Sequence, residues 1–151
     1  MRIFTIHVLF DGGCKPTNPG NKYGSYEVRH LGKVVLRKER FSLGWGTNNE
    51  AEFEALETCL KAVLADLKAG GLDPQHHSLD IFTDSMIVTY RMTEKNKRKT
   101  PQRSNPIQSH NADRANAMAD RAGQCLALCE QFHTFGVQWQ GREANLATFG
   151  H

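Results

Sequence analysis

Apolar and polar residues alternate along residues 2–10, with Ile3, Thr5, His7 and Leu9 on one side, and this period of two predicts a first strand. Residues 23–31 and 33–41 read as two more strands around a Leu31-Gly32-Lys33 turn, which makes a three-stranded antiparallel meander. The intervening GGCKPTNPGNKYG is dense in Gly, Pro and Asn and reads as a turn. The period then changes. Ala51, Ala55, Leu56, Cys59, Val63 and Leu67 recur at three and four residues, one face of a helix capped by Thr47 or Asn48 and running to about Lys68. AGGLDPQHH stops it. A fourth strand follows at 78–83, and Met86, Ile87, Val88 and Tyr90 open another helix. Residues 94–111 show no apolar periodicity. Ala115, Met118, Ala119, Ala122, Cys125, Leu126 and Cys129 form the inward face of a helix from about Ala112 to Glu130. The stretch FGVQW, 135–139, is a fifth strand, and QGREANLATFGH reads as a short tail.

This pattern predicts one α/β domain over residues 1–151. Its sheet is mixed and five-stranded, three strands antiparallel and two parallel, flanked by helices. With the first strand central, Asp11 falls beside Asp84 and the helix bearing Glu52 packs across the sheet. The chain has 151 residues, 39% of them hydrophobic and 23% charged, which suits one soluble domain with a single core. No apolar run approaches the roughly 18 residues of a membrane span, and the start of the chain reads as a strand, not a signal peptide. Cys14, Cys59, Cys125 and Cys129 show no zinc-type pairing, so a reduced, cytoplasmic setting is expected. The net charge of +3 does not announce a nucleic-acid binder. Locally, though, Lys95, Lys97, Arg98, Lys99 and Arg103 face only Glu94 and make a basic loop, read either as a solvated connector or as an arm that grips phosphates.

The candidate chemistry lies in three acids. Asp84 stands where a strand gives way to a helix, the edge at which α/β sheets place their sites. Asp and Ser are also favoured as helix caps, which would account for Asp84 and Ser85 without any chemistry. Asp11 in VLFDGG and Glu52 in TNNEAEFEAL weigh against that bland account, because each puts an acid close to a core. Three such acids are tolerated together if they bind a cation.

In FDGGCKPTNPGNKYG, TNNEAEFEAL, FTDSMIV and, more weakly, VQWQGREAN, the chain resembles the type 1 ribonuclease H family of the wider retroviral-integrase-like fold. The resemblance covers nearly the whole chain. It implies an endoribonuclease that cleaves the RNA strand of an RNA–DNA hybrid with two divalent ions, normally Mg²⁺ with Mn²⁺ as a substitute. It carries Asp11, Glu52 and Asp84 over as catalytic metal ligands, and hard oxygen donors suit those ions. It implies substrate contacts at Gly12, Gly13, Cys14, Asn18, Thr47, Asn48, Asn49 and Ser85. An Asn amide both donates to and accepts from ribose hydroxyls, and Gly12 and Gly13 would let substrate approach the backbone. No protein partner is evident, and a monomer is expected.

The sequence departs from the family at its end. A fourth acid is expected four residues after Asn145, or three in relatives with a shorter spacing, but Phe149 and Thr148 stand there. The family's final helix is expected to be missing. Either Glu143 or the C-terminal carboxylate of His151 completes the second metal site, or that ion binds more weakly, or catalysis is impaired. The competing reading is a weak or inactive hybrid-binding module of the same fold. His110 and His133 match no role by motif.

Overall fold

A computed structural model describes residues 2–93 and 109–151, with side chains described outside 109–116. Strands β1 (Phe4–Lys15), β2 (Gly20–His30) and β3 (Lys33–Gly46) form the meander. Helix α1 (Asn48–Ala69) follows, then a 3-10 turn (Pro74–His76), β4 (His77–Thr83) and α2 (Met86–Met92). Helix α3 (Ser109–Cys129), β5 (Thr134–Trp139) and α4 (Arg142–Phe149) complete the chain. The sheet order is β3-β2-β1-β4-β5, with β1–β2 and β2–β3 antiparallel and β1–β4 and β4–β5 parallel. The central first strand and mixed sheet are as expected.

Alternation decides which face of the sheet is buried. Ile6, Val8 and Phe10 are buried, whereas Thr5 and His7 are exposed on the opposite face. The buried face packs under Phe53, Leu56, Leu60 and Val63 of α1 and Cys125, Leu126 and Cys129 of α3 in one apolar cluster. Val88 and Met92 of α2 join it. Cys59, Cys125 and Cys129 are free thiols that pack as small apolar groups. Burial raises the pKa of each, that of Cys125 to about 12, so they stay protonated. Across the sheet, α4 lies over His7 and Leu9 and leaves a shallow cleft at Ala144, Ala147 and Thr148. Among the described residues no helix is long and apolar enough to cross a membrane.

The strands outrun the sequence reading at both ends of the first hairpin. GGCK is not a turn but the end of β1, with Cys14 opposite Lys22 and Lys15 opposite Asn21. Strand β3 continues to Gly46 through register shifts between Lys22 and Tyr23 and between Gly24 and Tyr26, bulges that alternation does not reveal. In the second hairpin Leu31 and Gly32 both have positive φ, 54° and 76°, the turn whose twist matches paired strands. The expectation that the final helix is missing is corrected. Residues Arg142–Phe149 are helical and end on Gly150, whose left-handed φ of 76° lets its N–H reach Leu146 O at 3.0 Å.

One close approach sets the distance between helix and sheet. A Cβ on Gly12 would lie 2.5 Å from the Ala51 carbonyl atoms and 2.6 Å from Glu52 N. The helix backbone therefore rests directly on β1 at Gly12. Gly12→Ala is expected to cost about 2–3 kcal/mol of stability through overpacking against backbone, read as a lower urea midpoint at unchanged slope.

Candidate functional site

The β1–β4 register pairs Leu9 with Phe82, so Asp11 and Asp84, each two residues further on, arrive side by side at the carboxyl end of the sheet. Glu52 is lowered onto them from the second turn of α1 by the Gly12 contact. One carboxylate oxygen from each acid lies within 4.8 Å of those from the other two. Asp11 and Glu52 are buried and Asp84 is half-buried. Burial, then the Asp84 charge, raises the Asp11 pKa to about 7, against help from the Gly12 N–H. Burial and the charges of Asp11 and Asp84 drive Glu52 up as well. Glu52 Oε2 is buried with no hydrogen-bond partner. The pocket around these acids is lined by Gly13, Cys14, Tyr23, Asn48, Trp139, Arg142 and His151.

The helix caps separate ordinary local structure from candidate chemistry. Ser85, not Asp84, caps α2: its Oγ accepts the Val88 N–H at 3.2 Å. Its hydroxyl is thus turned into the fold, and the Asp84 carboxylate is free of capping. Thr47 caps α1 in a capping box with Glu50, so its hydroxyl too has a local partner. Asn48 does not cap. Its Oδ1 accepts the Cys14 N–H at 2.9 Å, and its own N–H donates to Asn18 Oδ1 at 3.1 Å. These bonds tie the β1–β2 connection to the start of α1. Asn49 is exposed and, with Asn18, Thr47, Trp45 and Arg121, lines an adjoining groove. The space beside Gly12 is filled by the α1 backbone, so internal packing alone requires that glycine, whereas a Cβ on Gly13 would lie 2.6 Å from the Tyr23 hydroxyl and would displace the end of that side chain. Lys95, Lys97, Arg98, Lys99 and Arg103 lie outside the described residues.

Sequence reasoning passed over Tyr23, Trp139, Arg142 and the imidazole of His151. It also missed a charge network behind the groove. Lys22, almost fully buried, pairs with Glu54, and Arg121 bridges Glu50 at 3.1 Å and Glu54 at 3.2 Å. The signal for His151 was Gly150, a residue suited to end a helix and turn the chain back. Glu143 is exposed with its carboxylate folded over Gly141, and it does not line the pocket. The Thr148 side chain does not line it either, and its carbonyl accepts from Arg37 at 2.7 Å. Phe149 is buried. From the tail it is the His151 ring that enters the site: Nε2 meets Ser25 Oγ at 2.7 Å and Nδ1 lies 2.8 Å from Asp11 Oδ2. Burial, then Arg40 and Lys15, holds its pKa below the ordinary value.

The architecture has close counterparts among solved structures. Ribonuclease H1 from the halophilic archaeon Halobacterium salinarum NRC-1 matches with a TM-score of 0.65 and 21% identity, over 93% of this chain and 89% of that one. The N-terminal RNase H domain of a Mycobacterium tuberculosis protein, solved as a fusion with maltose-binding protein, matches at 0.67 and 22%, over 93% and 90%. LC11-RNase H1 in complex with an RNA/DNA hybrid matches at 0.67 and 19%, over 94% and 89%. No family model matches the sequence, and no curated protein does. At these identities the likeness is one of architecture: the chain has the ribonuclease H fold.

The raised carboxyl groups make stability depend on pH in a definite direction. Below its ordinary value of 3.8 Asp11 is neutral in both states and costs nothing. As pH climbs towards about 7 the unfolded chain ionises while the fold retains the proton, so the metal-free protein loses stability across that window. Asp11→Asn is expected to stabilise the metal-free protein by on the order of 2 kcal/mol at pH 8 and by almost nothing at pH 3.5. Urea unfolding in a chelator at the two pH values checks this.

Proposed function

We propose that this protein is a metal-dependent endoribonuclease that hydrolyses the RNA strand of RNA–DNA hybrids. The observation that carries the reading is the convergence of Asp11, Glu52 and Asp84 at the carboxyl edge of a sheet with the ribonuclease H fold. A structural counterpart in complex with an RNA/DNA hybrid supports the substrate class.

The residues fit a divalent cation. They offer oxygen donors with hard character, one of them an orphaned buried oxygen, and the raised pKa values of Asp11 and Glu52 reflect burial first and the neighbouring acids' charges second. When bound, a pair of divalent ions such as Mg²⁺ or Mn²⁺ supplies Lewis-acid stabilisation and lowers the pKa of water. Asp11, Glu52 and Asp84 hold that charge in place. The Gly12 N–H steadies the ionised forms of Asp11 and Glu52. Asn18 and Asn49 face the adjoining groove, where amides can meet ribose hydroxyls, and the exposed Trp139 offers a face for stacking. The free buried thiols fit a reducing compartment such as the cytoplasm.

A second reading, a weakly catalytic or inactive hybrid-binding module, rests on the absence of an acid at Thr148 and Phe149. Cleavage of a labelled hybrid in Mg²⁺ and in Mn²⁺ separates the two. The wild-type chain is expected to cut only the RNA strand, and Asp84→Asn to abolish cutting while leaving hybrid binding within a few-fold. Binding without cutting in either metal would establish the module.

The basic stretch is assigned to phosphate contacts within the same reading. Each contact adds roughly 0.9 to the slope of log affinity against log salt. Replacing Lys97, Arg98 and Lys99 by Ser is therefore expected to flatten that slope by about two to three units in a salt titration of hybrid binding. An unchanged slope would leave the segment a solvated connector.

A further inference from the structure

We propose that the His151 imidazole is itself a metal ligand of this site, its Nδ1 supplying a nitrogen donor beside the Asp11 carboxylate at the edge of the cluster of Asp11, Glu52 and Asp84. The inference rests on the metal-dependent reading above and names a ligand that no acidic residue of the tail supplies.

The His151 side chain is only 7% exposed, yet its Nδ1 has no hydrogen-bond partner. A buried ring nitrogen left without a partner is costly, and this one lies against a carboxylate. It stands 2.8 Å from Asp11 Oδ2 without the alignment of a hydrogen bond. Two adjacent donors on one six-coordinate cation, each bonded at about 2.1 Å and at right angles, lie roughly 3 Å apart. The nitrogen and oxygen are therefore spaced as neighbouring ligands. A second orphan, Glu52 Oε2, belongs to the three-acid cluster that contains Asp11.

The rest of the chain holds the ring in that pose. Asp11 and Ser25 are paired across β1 and β2, and His151 spans them. The Ser25 Oγ accepts the Arg40 N–H at 2.9 Å and has a second lone pair for a proton on Nε2 at 2.7 Å. With the proton on Nε2, Nδ1 keeps its lone pair free beside Asp11, as when a metal-binding histidine donates its other N–H to an outer partner. Tyr23 stands edge-on to the ring at 4.9 Å, and Phe149 stacks on it at 5.8 Å. Arg37 donates to Thr148 O at 2.7 Å and Arg40 to Gly150 O at 3.3 Å, which pins the turn that delivers the ring.

A neutral imidazole in place of a carboxylate lowers the charge of the donor set by one. It also shifts preference from Mg²⁺ towards metals that accept nitrogen. Nδ1 of His and Oδ of Asp are both three bonds from Cα, so His151→Asp keeps a donor at the same reach and changes only its chemistry.

The test uses the whole chain with Mn²⁺ as probe. Pulsed electron paramagnetic resonance of wild type is expected to show a directly bound ¹⁴N. His151→Asp should still bind Mn²⁺, lose the ¹⁴N coupling and narrow the Mn²⁺:Mg²⁺ affinity ratio by about tenfold or more by calorimetry. His151→Ala should weaken Mn²⁺ by about tenfold or more. Mn²⁺ bound by wild type with no ¹⁴N coupling would overturn the assignment and leave the three-carboxylate site standing. No Mn²⁺ bound by wild type at millimolar concentration would overturn the metal-dependent reading, and this inference with it. The wild-type spectrum decides the matter even if a variant fails to fold.

Discussion

The contact of α1 on β1 at Gly12 is the constraint from which the rest of the site follows. Helix and sheet ordinarily pack through side chains. Here the Ala51 carbonyl and Glu52 nitrogen meet a residue with no Cβ, so the helix axis drops towards the strand. Glu52 is the next residue along, and its carboxylate is thereby carried to the level of Asp11. The parallel register of β1 and β4 delivers Asp84 to the same level. None of the three acids needs an unusual backbone to get there. Sheet register supplies two of them and a glycine supplies the third.

That convergence works against stability. Burial, then the charge of neighbouring acids, raises the pKa of Asp11 and of Glu52, and the Gly12 N–H offsets only part of the effect. A core built for stability alone would place apolar groups here, as it does one layer away at Val8, Phe10 and Ile81. Local conflict inside an otherwise consistent fold is what a functional site looks like in physical terms. The buried and half-buried charges elsewhere behave differently: Lys22 has Glu54, and Glu50 has Arg121 and its capping box. Those groups are compensated within the chain; the three acids are not.

Periodicity made most of the frame legible. The buried stripe of α1 and the central position of β1 could be read because apolar residues repeat there without interruption. What escaped had weak or misleading periodicity. Gly12, Gly13 and Cys14 read as turn residues although their backbone stays paired with β2, since a strand needs no particular side chain where a helix already covers it. Helix α4 buries only Asn145 and Phe149 on its one described inward stripe, too little to stand out from a polar tail. The three acids were legible because each sat at a recognisable junction. His151 was not, because its position depends on a helix that was not expected and on the turn at Gly150.

The caps show how a bland account and a functional one can be separated residue by residue. Thr47 and Ser85 were both candidates for substrate contact, and both hydroxyls are satisfied by the first turn of their own helix. Their presence is accounted for whether or not anything binds. Asp84 sits one residue from a cap and Asn48 one residue after one, yet neither side chain serves its helix start. Asn48 instead crosses to Cys14, thirty-four residues away, and holds the edge of the acidic pocket in place. Asp84 turns to two other acids that electrostatics alone would keep apart. Asp84, Asp11 and Glu52, crowded together, and the unpartnered nitrogen of His151 are therefore the groups whose placement burial and local hydrogen bonding do not account for.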